Sequence, residues 1–182
     1  WMRLSSSVQN KFAEVDRVHQ RSAKQLLDRA GDRAPIGTRA RDRFLIERAT
    51  RRIQTAAFTN SAQLWRDELN SALADSRSAF SSATLRGDRA TATLALVTIA
   101  SAASRRGWVE ETIEVTRKAV DLSGDQETLW KCALARARAF LKASRLQQAR
   151  REARLAAAPV AAIRCSLAAS AASICSPCGR AV

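Results

Sequence analysis

The sequence predicts an all-α protein: stacked antiparallel helical hairpins, about seven helices of 13 to 26 residues, followed by a low-complexity C-terminal tail. Three observations carry this expectation. Alanine, leucine and arginine, all strong helix formers, dominate the 182 residues, whereas tyrosine is absent and only six glycines and three prolines interrupt the chain. Apolar residues recur at steps of three and four, the period of one helix face. Residues 94–157 read as two consecutive helical hairpins built on one template. A sheet protein would carry more β-branched and aromatic alternation. The length is close to one domain and long enough for a substantial core, and a plain helical bundle is the rival architecture.

The first helix is expected over Val8, Phe12, Val15, His19, Ala23, Leu26 and Ala30, which share one face, with Gly31 as its stop. Gly31-Asp32-Arg33-Ala34-Pro35-Ile36-Gly37 is the clearest loop, with breakers at both ends. Thr38 can cap the second helix, which turns Leu45, Ala49, Ile53 and Ala56 inward and ends near Thr59-Asn60. Asn60 or Ser61 can cap a third helix using Trp65, Leu69, Ala72, Leu73 and Phe80, with the small Ser76 on the same face and Gly87 as its end. The first hairpin of the repeat runs from Thr93-Leu94 through Ala103, turns at Arg106-Gly107-Trp108 and returns through Ile113, Ala119 and Leu122. The second runs Trp130 to Leu141, turns near Ser144-Arg145 and returns through Ala149, Ala153 and Ala156. The expected division is N-terminal helical hairpins over 1–93, hairpin repeats over 94–158, and an Ala/Ser/Cys-rich tail over 159–182, either disordered or buried by a partner.

The two hairpins align at an interval of 37 residues. Thr112 and Ala149 are then equivalent small positions, as are Ala119 and Ala156, while Gly107 and Ser144 coincide at the turn. In the first helices Ala100 pairs with Ala137, and Ala103 with Phe140. This pattern resembles the tetratricopeptide repeat, a helix–turn–helix unit with small residues where its helices touch and a large one where units stack. The interval departs from the family's 34 residues, Ala103 offers little stacking surface, and Ser123-Gly124 stands in place of the terminal proline. The resemblance covers about a third of the chain and implies a TPR-like α-solenoid that binds partners.

Charge is the second informative feature. The net value is +14; residues 1–60 hold 13 basic and 6 acidic side chains, 61–124 hold 8 of each, and 125–182 hold 10 and 3. Both ends are therefore basic. One cluster, Arg39, Arg41, Arg43, Arg48, Arg51 and Arg52, lies at and after the start of the second helix. The denser one is Arg136, Arg138, Lys142, Arg145, Arg150, Arg151 and Arg154, opposed by Glu152 alone. Arg150, Arg151 and Arg154 fall on the side opposite Ala149, Ala153 and Ala156. A guanidinium makes bidentate hydrogen bonds to phosphate, and a basic stripe gains affinity by counterion release, so Arg39, Arg41, Arg43, Arg51, Arg52 and the second cluster are the candidate RNA phosphate contacts. The competing account is compositional: 26 arginines against 5 lysines also mark a chain whose arginines keep helices solvated.

Other chemistry is sparse in the sequence. Trp65, Trp108 and Trp130 occupy positions suited to the core, so base stacking has no visible platform. The single histidine, His19, sits on an apolar face, and the isolated glycines build no phosphate-binding loop. Glu110, Glu111 and Glu114 beside Arg117 and Lys118 suit exposed ion pairs. Cys175-Ser176-Pro177-Cys178 has half of a zinc-site spacing; Cys165 could add a ligand, but Cys132 falls inside a helix. Arg86-Gly87-Asp88 spells an adhesion tripeptide at a helix end, a chance match. No transmembrane span is expected, and the tail is too short and serine-rich for one.

These residues predict a non-catalytic scaffold without a cofactor or metal, a structural subunit of a large ribonucleoprotein such as a mitochondrial ribosome, contacting structured RNA and protein neighbours. The alternative is a protein–protein adaptor or accessory subunit of a mitochondrial membrane complex that touches no nucleic acid. The opening Trp1-Met2 suggests a processed, truncated or incomplete chain, and the expected compartment is the mitochondrion, with the cytoplasm second.

Overall fold

Four of the helices begin where a short polar side chain accepts a free amide. The computed structural model describes residues 33–157, together with Gln25 and Arg29. Thr38 accepts from the Arg41 amide at 3.2 Å and opens α1, Arg39–Phe58; Ser61 accepts from Leu64 at 3.3 Å and opens α2, Ala62–Leu85. Asp88 accepts from Thr91 at 3.1 Å at the head of α3, Arg89–Arg106, and Asp125 from Thr128 at 2.8 Å at the head of α5, Gln126–Lys142. The first turn of α4, Val109–Leu122, follows Trp108 without a side-chain cap. A sixth helix, α6, runs over 146–157.

The described residues thus hold six successive helices and no strand, against an expectation of about seven. The expected first helix lies largely outside the described residues; Gln25 and Arg29 are helical, and so is Arg33, two residues past the stop expected at Gly31. Helix α3 starts at Arg89, ahead of Thr93-Leu94, because Asp88 supplies the cap. Helix α5 likewise starts at Gln126, ahead of Trp130.

Helix ends repeat one device. Gly87, Gly107 and Ser144 all have left-handed backbones, with φ of 68°, 78° and 59°. After each, the next amide reaches back to the helix: Asp88 to the Ala83 carbonyl at 2.9 Å, Trp108 to Ala103 at 3.1 Å, and Arg145 to Phe140 at 2.8 Å. Gly107 and Ser144 are the pair aligned by the 37-residue interval, so the turn geometry repeats with the sequence.

Packing follows chain order with one addition. Each of α1 to α5 packs on the next, α1 also packs on α3, and α3 on α5; α2 and α4 do not meet, nor do α1 and α5. The first helices of successive hairpins therefore form one layer, against which α2 and α4 each pack. Helix α3 touches α1, α2, α4 and α5 and is buried nearly all round, from Thr91 to Ser104.

The core is predominantly alanine. Leu45, Ala49, Ile53 and Ala56 are buried as the periodicity requires, and so are Leu69, Ala72, Leu73 and Ser76, with Trp65 and Phe80 partly buried against them. The aligned positions Thr112, Ala149, Ala119, Ala156, Ala100, Ala137, Ala103 and Phe140 are all buried. Small side chains let helix backbones approach, and Val109, Phe140 and Ala149 carry the same packing to α6. Buried hydroxyls return to their own helix: Ser76 donates to the Ala72 carbonyl at 2.8 Å and Thr116 to Thr112 at 2.7 Å, so they bring no unpaired polar group inside. Ala153 is exposed, against expectation, because only Ala149 and Ala156 of the α6 trio face the neighbouring helices.

Candidate binding groove

Stacking α1, α3 and α5 in one layer leaves one face of each helix lining a common groove of about 1040 Å³. The spacing of its residues is helical. Arg39, Arg43, Glu47, Thr50 and Gln54 descend α1; Leu94, Val97, Thr98, Ser101 and Arg105 descend α3; Lys131, Leu134, Ala135 and Arg138 descend α5. Phe44, Ile46 and Ile53 complete an apolar floor with Leu94, Val97 and Leu134. The volume lies at the upper end of the range for small-molecule sites, and three helices form the walls.

Five cations and one carboxylate line this groove. Arg39 pairs at 2.9 Å with Asp88, Lys131 at 2.5 Å with Glu127 on its own helix, and Glu47 at 3.1 Å with Arg51. Arg43, Arg105 and Arg138 have no ion-pair partner among the described residues. The Nε of Arg105 is buried without a hydrogen-bond partner. Burial of the guanidinium, and then the neighbouring Arg138, hold the Arg105 pKa below the usual arginine value.

The structure disperses the candidate phosphate contacts. Arg39, Arg43 and Arg138 line the groove. Arg41 donates to the Ala34 carbonyl at 3.1 Å, stapling the loop before α1. Arg48 makes a bidentate pair with Asp75, at 2.9 and 2.8 Å, and Arg52 lies 3.7 Å from Asp75 and 4.0 Å from Glu68. These tie α1 to α2, while Arg51 pairs within α1. In the second cluster Arg136 meets Glu152 at 2.9 Å between α5 and α6, Arg145 meets Glu110 at 3.6 Å, and Lys142 lies 5.5 Å from the ring centre of Trp65. Arg150, Arg151 and Arg154 are exposed on α6, with no ion pair among the described residues.

Arg105 and Lys131 escaped the sequence reading. Their signal was register: Arg105 is four residues after Ser101 and seven after Thr98, and Lys131 three before Leu134 and seven before Arg138. What makes them a site is the stacking of three helices, which sequence spacing does not contain.

Elsewhere, Trp108 departs from its expected core position: it is 37% exposed, with the Arg106 guanidinium 4.4 Å from its ring centre. Trp65 packs against the core, and Trp130 is partly buried. Glu114 pairs with Lys118 at 2.7 Å on its own helix, as expected, whereas Glu111 pairs across to Arg77 of α2 at 2.6 Å. Arg86-Gly87-Asp88 is occupied in folding: Arg86 bonds Asp42, and Asp88 caps α3. Cys132 is buried, and burial raises its thiol pKa to about 11. His19, Cys165, Cys175 and Cys178 lie outside the described residues, among which no group of histidine, cysteine and carboxylate side chains could hold a metal. No described helix is long and apolar enough to cross a membrane. Comparison with protein-family models, curated proteins and solved structures finds no match to this chain.

Proposed function

We propose that this chain is a non-catalytic helical-repeat scaffold, a TPR-like α-solenoid of hairpins, that holds a segment of a partner protein in the groove of α1, α3 and α5. The observation carrying this reading is the groove itself: three successive first helices align their faces, with an apolar floor of Phe44, Ile53, Leu94, Val97 and Leu134. An extended or helical segment buries apolar side chains in such a floor, which a phosphate backbone cannot do. The dispersal of Arg48, Arg51, Arg52 and Arg136 into intramolecular pairs also favours a protein partner over a broad phosphate-gripping surface.

The test is selection of peptides from a displayed random library on the full chain, followed by binding to a variant carrying Leu94→Ser and Leu134→Ser. Recovered peptides should lose binding to that variant. Peptides indifferent to it, or no recovered peptide, would overturn the reading.

A second reading has its own observation. Arg150, Arg151 and Arg154 leave one exposed face of α6 basic and unopposed, which suits phosphate contact by a structural subunit of a ribonucleoprotein, such as a mitochondrial ribosome. A salt titration of binding to structured RNA tests it: affinity should fall steeply with salt, and the slope should decrease when all three arginines become glutamine.

A further inference from the structure

We propose that Arg105 and Arg138 form a carboxylate-binding subsite, so that the segment held there is acidic. The inference rests on the groove being a protein-docking surface, and it specifies what docks. Three observations carry it.

The first is placement. Arg105 is in the last turn of α3, and Arg138 comes from the facing side of α5, so neither owes its position to a local ion pair along one helix. The second is the want of a counter-charge. Every other groove-lining charge, Arg39, Glu47 and Lys131, has an ion-pair partner at 3.1 Å or less, whereas Arg43, Arg105 and Arg138 have none among the described residues. Two guanidiniums held near each other in a partly desolvated site repel, and an incoming anion removes that cost. The third is the Arg105 Nε, a buried donor without an acceptor. A planar guanidinium presents Nε and one terminal nitrogen as a fork matched to the two oxygens of a carboxylate.

The floor selects the kind of anion carrier. Leu94, Val97 and Leu134 line the same groove as these cations, so a ligand that engages both must carry apolar and acidic side chains. An acidic amphipathic peptide has that chemistry, whereas a nucleic acid would leave the floor uncovered.

The experiment uses groove-binding peptides selected on the full chain, remade with every Glu and Asp changed to Gln and Asn, and a second protein carrying Arg105→Gln and Arg138→Gln. Recovered peptides should be enriched in Glu and Asp, and either change should weaken binding roughly ten- to hundredfold. The amide peptides leave the protein's fold untouched, and Arg105→Lys with Arg138→Lys should restore part of the affinity. Equal binding of acid and amide peptides, both lost in the Leu94→Ser, Leu134→Ser variant, would overturn the subsite and leave the docking groove standing. Failure to recover any peptide would overturn both. Structured RNA that binds in place of peptides, and depends on Arg105 and Arg138, would overturn the acidic-peptide assignment in favour of phosphate.

Discussion

Arg86, at the end of α2, bonds the carboxylate of Asp42, which is 1% exposed in the first turn of α1. The same guanidinium donates to the Gly37 carbonyl at 2.8 Å and to the Ser82 hydroxyl at 2.6 Å, so one side chain joins the 34–37 loop and two helices. Removing one partner of a buried pair leaves the other charge stranded. Asp42→Asn or Arg86→Met should each cost roughly 2–4 kcal/mol, less than for a fully enclosed pair because Arg86 keeps contact with solvent. Urea denaturation would measure it, and a loss under about 0.5 kcal/mol would show the pair to be marginal.

The cap of α5 carries a pH dependence. Bonds from the Ser123 hydroxyl, the Thr128 amide and the Thr128 hydroxyl hold the Asp125 pKa at about 2, down from an ordinary 3.8. A depressed carboxylate stabilises the fold above its unfolded pKa, and that contribution disappears as pH falls from about 4 to about 2. Asp125→Ala should therefore lower Tm by a few degrees at pH 7, and the gap between variant and parent should narrow as the pH drops through that window. A gap constant down to pH 2 would contradict the cap assignment.

Ser144 and Gly107 occupy equivalent turns, but only one of them suits its backbone. At φ 59° Ser144 carries left-handed strain of about 1–2 kcal/mol, part of which glycine would recover after its own entropy cost. Ser144→Gly should raise stability by about 0.5 kcal/mol. Gly107→Ala should lower it by about 1–2 kcal/mol, since φ is 78° and the new Cβ would sit 3.3 Å from that of Lys142. Thermal melts of the two variants should move in opposite directions.

Cys132 should be inert in the folded protein. With its thiol pKa at about 11 and its side chain in the core, the reactive thiolate is scarce at neutral pH. Alkylation followed by peptide mapping should leave Cys132 unmodified at pH 7.5 and modify it promptly in denaturant. Modification at similar rates in both conditions would place the thiol at the surface.

What the sequence made legible follows from where the physics is local. Leu45, Ala49, Ile53 and Ala56 declared a buried face because α1 has one apolar stripe and one solvated side. Ser61 and Gly87 marked ends through capping and backbone conformation. Helix α3 concealed its start because it is enclosed by four neighbours, so burial erases the periodicity that would bound it. Trp108 was misplaced because an aromatic at a turn can either fill a core or stack under an arginine, and here Arg106 claims it. The site was legible only in fragments: Arg43 and Arg138 stood within dense arginine clusters, whereas Arg105 has only Arg106 beside it. Its meaning depends on Arg138, on a helix that begins only at Gln126.

The walls of the groove, α1 and α5, each rest on α3 and never touch one another. Its width is therefore set at two separate seams, α1 on α3 and α3 on α5. Small alanine side chains such as Ala95, Ala100 and Ala135 offer little interlocking. Under the docking role proposed above, a groove seated on two separate seams would adjust to segments of different girth, with the energy of the adjustment supplied by the bound segment.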